Sequence, residues 1–440
     1  MTSYWSAYAW LPDGCHAGVG FDVHDGRFSG VAAGVAPSDH AEILDGVTLP
    51  GLVNGHSHAF HRALRGRTHA AGGTFWTWRE QMYAIAARLD PDSYLSLARA
   101  VFAEIAQAGY TVVGEFHYLH HDRDGRRYGD PNAMGTALIQ AATEAGIRLT
   151  LLDACYLTGG LTATGHLPLD RVQVRFSDTD VEHWVARVSR LTDLDQVRIG
   201  AAVHSVRAVP ADVLSMIGEA AGERPLHLHL SEQPAENAAT QAFYGCTPTE
   251  LIDDHDLLGP RTTAVHATHL TDSDIKTLGS SQTSACFCPT TERDLADGIG
   301  PARRLASAGS PLIIGSDQHA VIDPFEELRG VELHERLATG ERGCFTPAEL
   351  MQIASENGYR SLGWPDGGRI SDGALADFVV VRSDSVRTTG ASPDQIAYAA
   401  TAADIDQVVV AGQVIVRDGQ HRLGSVARLL AAAFDQLGVV

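Results

Sequence analysis

Lysine is nearly absent from this chain of 440 residues, and so are long apolar runs. Lys276 is the single lysine, so arginine carries almost all of the positive charge. No apolar segment is long enough to span a bilayer. The first residues have neither the basic stretch nor the continuous apolar stretch of a secretory signal peptide. We therefore expect a cytoplasmic protein that does not associate with membranes.

Positive charge is also scarce relative to negative charge. The formal net charge is -21, and the acidic residues are spread along the chain rather than held in blocks. This balance argues against nucleic acid as a partner, although a few arginines in a pocket could still bind a small anion. The six cysteines are scattered, which favours reduced thiols in the core over disulfides or a second metal site.

Short apolar runs alternate with helical patterns over the middle of the chain, and 44% hydrophobic residues suffice for a sizeable core. Eight of these runs are typical of buried strands: residues 52–58, 111–118, 148–156, 198–205, 225–232, 262–270, 283–289 and 311–319. Helical patterns separate most of them. Eight strand–helix units predict an α/β fold, with a (β/α)₈ barrel over residues 50–365.

Both ends of the chain show short strands and turns instead of strand–helix alternation. Examples are "HAGVGFDVHDGRFSGVAAG" near the start and "QVVVAGQVIVRDGQHR" near the end. We predict that residues 1–49 and 366–440 form one small, discontinuous β-sandwich domain beside the barrel. The last segment, "SVARLLAAAFDQLG", is predicted to be an amphipathic helix.

Histidines and acidic residues stand where four of the predicted barrel strands end. The first strand carries two histidines, the fifth a histidine and a glutamate, the sixth a histidine and the eighth an aspartate: His56, His58, His229, Glu232, His266 and Asp317. The carboxyl ends of barrel strands meet at one face of the barrel. These side chains, distant in sequence, are therefore expected to converge there.

The residue types at these positions suit metal-assisted hydrolysis. Neutral imidazole and carboxylate bind zinc or iron(II), and three histidines with one aspartate leave a position open for water. A bound cation lowers the pKa of that water to about 7. Glu232 is suited to move the proton of the water to a leaving nitrogen. His266 can hydrogen-bond the attacking oxygen or polarise the electrophile.

Each of these signals is weak alone, since a chain with 21 histidines contains H-x-H pairs by chance. Their combination at four strand ends is much harder to obtain by chance. Two assignments have competitors: His227 shares a strand face with His229, and His269 competes with His266. We prefer His229 because of its spacing to Glu232.

Several motifs resemble those of the amidohydrolase superfamily, in its deaminase and chlorohydrolase branch. They are "LPGLVNGHSH", "HLHLSE", "VHATHLTDSDI", "GSDQH" and "GRISDGALADFVVV", and they extend over nearly the whole chain. The resemblance implies a (β/α)₈ barrel with one divalent metal, usually zinc with iron(II) as the alternative. It assigns the metal to His56, His58, His229 and Asp317, and gives Asp317 a second role in orienting or deprotonating the metal water.

The scarcity of lysine bears on the number of metals that this resemblance implies. Members with two metals bridge them by a carboxylated lysine, normally on the fourth strand. Here that strand is "RIGAAVHS", without lysine, and Lys276 falls in a predicted helix. The site is therefore expected to hold one metal ion.

Three further stretches resemble the members that deiminate N-formimino-L-glutamate in histidine degradation: "FWTWRE" (75–80), "FHYLHH" (116–121) and "HSVRAVP" (204–210). The resemblance assigns Arg79, Tyr118, His204 and Arg207 to the carboxylates of a small dicarboxylate substrate, and implies a homodimer. Arginine suits this role because it binds carboxylates bidentately. Arg79 as a solvated helix residue and Arg207 in a structural salt bridge are the alternatives.

His61 departs from the resemblance, because glutamine is expected at that position near the substrate. A histidine can still donate one hydrogen bond to the substrate. The alternative is a residue at a helix start with no part in the chemistry.

Four functions are compatible with these residues. The leading one is hydrolysis of N-formimino-L-glutamate to N-formyl-L-glutamate and ammonia. The second is deamination of a purine, pyrimidine or triazine ring, which the paired arginines disfavour and "WTW" keeps open. The third cleaves the other C–N bond of formiminoglutamate and releases formamide. The fourth, a non-catalytic scaffold, is disfavoured because every expected ligand is present.

Overall fold

The computed structural model of the protein describes residues 1–69 and 73–439. The chain begins with a series of strands. These strands are β1 (Thr2–Leu11), β2 (Gly14–His24), β3 (Arg27–Ala32) and β4 (Glu42–Pro50). β1 pairs with β2 in antiparallel and with β4 in parallel orientation. Buried positions alternate with more exposed ones in β2, as expected for a sheet with one covered face.

Eight parallel strands follow and form the barrel, with a short hairpin (β8 and β9) inserted after the third. The strands are β5 (Leu52–Ser57), β6 (Tyr110–His117), β7 (Arg148–Cys155), β8 (Gly160–Thr162), β9 (Gly165–Leu167), β10 (Val197–Val203), β11 (Leu226–Leu230), β12 (Thr262–His266), β13 (Ser284–Phe287) and β14 (Leu312–Ile314). β6, β7 and β11 are buried at every position, as is usual for parallel strands that are covered on both faces. All eight predicted barrel strands are confirmed.

Helices occupy the connections between barrel strands, and further helices, from residue 324 onward, follow the last barrel strand. They are α1 (Phe75–Ala86), α2 (Pro91–Gln107), α3 (Ala133–Ala145), α4 (Val181–Val188), α5 (Leu214–Ala221), α6 (Pro234–Tyr244), α7 (Pro248–Asp253), α8 (Asp272–Ser280), α9 (Pro289–Leu295), α10 (Ala302–Ala308), α11 (Pro324–Thr339), α12 (Pro347–Ala354), α13 (Glu356–Ser361) and α14 (Val426–Leu437). Lys276 lies in α8, as predicted. Among the described residues, no helix combines the length and apolar character needed to cross a membrane.

The barrel closes where the segment after β14 meets β5. Ser57 and Asp317 form a parallel bridge there. The amide of His58 donates to the carbonyl of Asp317 over 3.1 Å, and the amide of Asp317 donates to the carbonyl of His56 over 2.9 Å. The backbone bonds that close the barrel thus belong to residues predicted to bind the metal.

The small domain is completed by strands near the end of the chain: β15 (Phe378–Val381), β16 (Ile405–Val410), β17 (Gln413–Arg417) and β18 (Gln420–His421). They extend β4 into one eight-stranded sheet of order β18-β17-β16-β15-β4-β1-β2-β3. The ring centroids of Phe28 on β3 and Phe378 on β15 are 6.0 Å apart, although three strands separate β3 from β15 in this order. The sheet therefore curls over its own aromatic core, and the predicted union of both chain ends is confirmed.

The last helix, α14, turns away from this sheet. Its buried residues Val426, Leu430, Ala433 and Leu437 belong to the same apolar cluster as the barrel core. Arg88, which follows α1, donates to the carbonyl of Leu437 at its end. The sequence predicts the helix itself, but its contact is with the barrel.

Candidate active site

A cavity of about 260 Å³ lies where the barrel strands end. The predicted metal and proton-transfer residues His58, His229, Glu232, His266 and Asp317 contribute to its lining. Its other walls carry two arginines and a set of aromatic side chains that includes Phe75, Trp76, Trp78, Tyr118 and Tyr156. The cavity therefore joins a polar floor to a largely apolar, ring-lined wall.

The four predicted ligands lie in two overlapping groups that share Asp317, one with His56, His229 and His266 and the other with His58 and His61. Within each group, one possible ligand atom of every residue lies within 4.8 Å of the others. Oδ1 of Asp317 is 3.3 Å from Nε2 of His56 and 3.3 Å from Nε2 of His58. Nε2 of His229 lies 3.2 Å from Nε2 of His56. All four side chains are buried. The structure thus brings together residues from β5, β11 and the loop after β14.

The tautomers of two histidines fit a metal. Nδ1 of His58 donates to the carbonyl of Phe116 over 2.9 Å, and Nδ1 of His229 donates to the carbonyl of His204 over 2.8 Å. Since the proton is on Nδ1, each Nε2 carries a lone pair directed at the cluster. Burial and the neighbouring imidazoles hold the pKa of His58 well below its usual value, which keeps the ring neutral. Imidazole nitrogens with free lone pairs beside a carboxylate are suitable ligands for a divalent metal.

His266 lies close enough to be a fifth ligand, since one of its ring nitrogens lies within 4.8 Å of the ligand atoms of His56, His229 and Asp317. Its charge argues for another role. Nε2 lies 3.8 Å from Glu232 and Nδ1 lies 3.4 Å from Glu292. Burial alone would lower the pKa of His266, but these two carboxylates raise it well above its usual value. A protonated imidazole has no free lone pair, so His266 is placed to donate a hydrogen bond.

The backbone is strained at the ends of two strands in this site. His266 has φ 68° and Asp317 has φ 42°, both in the left-handed region that few residues other than glycine adopt. Histidine and aspartate tolerate this region better than branched residues do. Such strain concentrates at functional sites, where the surrounding structure holds the residue in place.

The two predicted substrate arginines line the same cavity but have different partners. Nε of Arg79 donates to the hydroxyl of Tyr83 over 2.5 Å, and its guanidinium also lies over Trp76. Arg207 lies 3.2 Å from Glu232 and 3.4 Å from Glu236. Burial disfavours the charged form of Arg207, but these glutamates raise its pKa. Arg207 therefore combines a salt bridge with a position in the cavity wall.

Tyr118, His204 and His61 also line the cavity. Nε2 of His61 and the hydroxyl of Tyr118 are 2.9 Å apart and hydrogen-bonded. Burial lowers the pKa of His61 to about 3, so the ring is neutral. Burial also lowers the pKa of His204, with Arg207 adding to the effect, so this ring is neutral too. The predicted substrate residues are thus brought together, and His61 lines the same cavity.

The two competing histidines lie elsewhere. Nε2 of His227 approaches the carbonyl of Ser361 at 3.5 Å, and Nε2 of His269 donates to the carbonyl of Asp297 over 2.8 Å. Neither lines the cavity. The structure therefore favours His229 and His266, the residues preferred from the sequence.

Sequence reasoning missed several residues in or beside the cavity, among them Glu236, Gln173, Tyr156 and Glu292. Glu236 is buried, lines the cavity, and burial raises its pKa to about 7. Gln173 donates to the hydroxyl of Tyr156 and to that of Tyr83, and so fixes two cavity rings. A signal existed for Glu236, which is a second glutamate four residues after Glu232. None existed for the others, because their approach depends on the packing of distant loops.

Comparisons with known proteins agree with this geometry. Residues 47–415 match the amidohydrolase family. The formimidoylglutamate deiminase of Pseudomonas aeruginosa is 35% identical over 96% of this chain and 96% of its own length. The 8-oxoguanine deaminase of the same organism is 30% identical over 95% and 94%. A crystal structure of an amidohydrolase from Brucella melitensis superposes with a TM-score of 0.92 at 32% identity, over 99% of this chain and 100% of that one.

Proposed function

The chain belongs to the amidohydrolase family, and we propose that it hydrolyses N-formimino-L-glutamate to N-formyl-L-glutamate and ammonia, as a step in histidine degradation. The broader activity, hydrolysis of carbon–nitrogen bonds, follows from the family. The proposal includes zinc as the metal, with iron(II) as the alternative. It also includes the cytoplasmic homodimer expected from the sequence.

One observation carries the choice of substrate. Arg79 and Arg207 line the cavity whose floor is the histidine and aspartate cluster. A guanidinium binds a carboxylate bidentately, and two of them suit a compact molecule with two carboxylates. The 35% identity to a formimidoylglutamate deiminase supports the same choice.

A divalent metal held by His56, His58, His229 and Asp317, whose side chains adjoin one another, would supply activation of water at neutral pH. Asp317 orients that water through the oxygen that faces His56 and His58. Glu232 accepts a proton from the water as its oxygen bonds to the formimino carbon. Glu232 passes that proton to the imino nitrogen, then accepts the proton left on the new hydroxyl and passes it to the same nitrogen. The bond from carbon to that nitrogen breaks, and ammonia leaves as the formyl carbonyl forms.

His266 assists at the oxygen that becomes the carbonyl. It lies between Glu232 and Glu292, which favour its protonated form, so it donates a hydrogen bond to developing negative charge. The ring-lined wall excludes water from the reacting centre. Tyr118, His204 and His61 complete the polar contacts available to the substrate.

Deamination of a purine-like ring is the second candidate. The aromatic wall favours it, because Phe75, Trp76 and Trp78 can stack on a planar heterocycle. The 30% identity to an 8-oxoguanine deaminase favours it as well. The arginines argue against it, since a neutral ring leaves two half-buried cations without new partners.

An ammonia-release assay separates these functions. Metal-loaded protein is incubated with N-formimino-L-glutamate, and in parallel with 8-oxoguanine, guanine, cytosine and adenosine. Mass spectrometry identifies the carbon product of the first reaction. Ammonia with formylglutamate from the first substrate alone supports the deiminase, whereas glutamate with formamide assigns cleavage to the other C–N bond.

Ammonia from a ring substrate, with none from N-formimino-L-glutamate, rejects the proposed substrate and keeps the metal site. No ammonia from any substrate, with less than about half an equivalent of metal even after zinc addition, supports the scaffold.

A further inference from the structure

Glu236 is the buried carboxylate of the cavity that the proposed mechanism does not use. It lies in the first turn of α6, four residues after Glu232, and is 1% exposed. Neither carboxylate oxygen has a well-aligned hydrogen bond in the part of the chain that the structure describes. Its charged partner is Arg207, whose Nε lies 3.4 Å away. Burial of a carboxylate whose charged partner is one arginine costs folding free energy. This cost suggests that Glu236 is retained for a function.

Arg207 contacts Glu236 and Glu232 through different atoms. Nε faces Glu236, whereas Nη2 donates to Oε2 of Glu232 over 3.2 Å. A guanidinium presents five N–H groups in a rigid plane. The edge at Nε can therefore stay on Glu236 while the edge at Nη2 exchanges one carboxylate for another.

We propose that Glu236 is a positioning residue that anchors Arg207 while the guanidinium exchanges Glu232 for a carboxylate of the substrate. In the protein without substrate, the guanidinium of Arg207 donates a hydrogen bond to Glu232. A substrate carboxylate takes the place of Glu232 on the outer edge of the guanidinium. Glu232 is then free to move a proton, so substrates without that carboxylate leave the proton shuttle bound to Arg207.

The inference rests on the proposed function, because it takes a carboxylate of the substrate as the exchanging group. Its geometric part does not depend on the reaction. Any small dicarboxylate that enters the cavity competes with Glu232 for Arg207, whether or not it is hydrolysed. A binding measurement therefore tests the anchor separately from the substrate assignment.

The first test is calorimetric titration of metal-loaded protein with glutarate. Glu236→Gln keeps the shape of the side chain and removes its charge, so Arg207 loses its anchor and can turn fully onto Glu232. We expect roughly tenfold weaker binding of glutarate. The matched control is Glu223→Gln, which removes a glutamate facing Arg261 at 3.8 Å with 97% of its side chain exposed. This control should bind glutarate as the unaltered protein does.

Unchanged affinity in Glu236→Gln, or no binding of glutarate to the unaltered protein, overturns the inference. Equal weakening in Glu223→Gln also overturns it. If Glu236→Gln does not fold, Glu236→Met provides the same loss of charge in an apolar side chain of similar length. These outcomes do not depend on whether N-formimino-L-glutamate is the substrate.

The second test uses hydrolysis of N-formimino-L-glutamate and of two analogues that each lack one carboxylate, N-formimino-4-aminobutyrate and N-formimino-2-aminobutyrate. Arg207→Met identifies the carboxylate that Arg207 binds, because one analogue then loses less than the others. Glu236→Gln should raise KM for the full substrate roughly tenfold and change that analogue by less than about twofold.

If Glu236 has only a structural role, we expect another pattern for Glu236→Gln, in which kcat falls and KM rises for all three substrates. That pattern would overturn the inference. Absence of any reaction with N-formimino-L-glutamate in the unaltered protein rejects the proposed function instead, and the glutarate titration then decides the inference alone.

Discussion

Glu232 contacts both an arginine and a histidine of the cavity and is the proposed proton-transfer residue. It lies 3.2 Å from Arg207 and 3.8 Å from His266, and it follows the ligand His229 by three residues. It is buried, so its charge is balanced by those two cations rather than by water. A group in this position is expected to govern proton transfer without holding the metal.

Glu232→Gln separates these two properties. The amide keeps the size of the side chain but cannot accept a proton, so turnover should fall about 10²–10⁴-fold. Metal content, measured by elemental mass spectrometry, should stay at that of the unaltered protein. Turnover within twofold of the unaltered protein would remove Glu232 from the mechanism, and loss of the metal would make it a ligand.

At the scale of residues, the sequence predicts the side chains that stand at strand ends. His56, His58 and Asp317 follow from strand position because the barrel fold brings all strand ends to one face. Gln173 and Glu292 could not be predicted, since they reach the site from connections whose course depends on tertiary packing. The contact of Arg207 with Glu236 is of the same kind.

The seam between β5 and the segment after β14 is the element on which the metal site depends. Gly315 lies in this seam, in the motif "GSDQH". A Cβ on Gly315 would lie 2.8 Å from both Cβ and the backbone nitrogen of His56. The close approach of the two segments thus requires glycine at this position.

Gly315→Ala should therefore displace His56 and open the seam. We expect destabilisation of about 1–3 kcal/mol, as for other overpacked sites, with weaker retention of metal. Urea unfolding and dialysis against a chelator measure the two effects. Gly129→Ala is the control, because a Cβ there meets nothing within 4 Å. Equal stability and metal content in both variants would contradict the proposed role of Gly315 in the seam.

A second junction ties the small sheet to a barrel helix through His421 on β18. Nε2 of His421 donates to the carbonyl of Ala145 over 3.0 Å, and Nδ1 accepts from the amide of Leu423 over 3.1 Å. Both contacts need the neutral ring. Burial is the main reason that the pKa of His421 is lowered to about 4.

The folded state thus binds this proton less readily than the unfolded state, whose histidine has a pKa near 6.5. The contribution is fully present above pH 6.5 and is lost as the pH falls toward 4. Between pH 7 and pH 5 it amounts to about 2 kcal/mol. His421→Gln should lose less stability over this interval than the unaltered protein, as measured by urea unfolding. The exposed His40 serves as control, and an equal loss in His421→Gln and His40→Gln would contradict the prediction.

At the scale of elements, strand positions are predicted better than strand ends. The sixth strand is expected to reach residue 270 but ends at His266, and the eighth is expected to reach 319 but ends at Ile314. The backbone turns left-handed at His266, the last residue of β12, and at Asp317, three residues after β14. Residue composition does not reveal this change, because it results from the loops that hold the site. The hairpin β8–β9 escapes prediction for a similar reason, since its strands have three residues each.

For the whole molecule, the metal is expected to add to stability as well as to activity. Its ligands come from both sides of the barrel seam and from β11, so the unfolded chain cannot present them together. At a free metal concentration about 100 times Kd, mass action contributes about 2.7 kcal/mol.

Removal of the metal should therefore lower the Tm as well as abolish turnover. The experiment is thermal unfolding before and after dialysis against a chelator, followed by addition of zinc. Recovery of both Tm and turnover on addition is expected. A Tm that does not respond to the chelator, in protein shown to have lost its metal, would contradict a metal site built across the seam.

The joining of both chain ends in one sheet has a consequence for synthesis on the ribosome. β1 to β4 emerge first and can pair among themselves, but the next neighbour of β4 in the sheet is β15. β15 leaves the ribosome after every barrel strand has done so. Until then β4 presents an unpaired edge beside a barrel that has already been made, and such edges favour association with other chains. We therefore expect this protein to need a chaperone most when translation slows near the end of the message.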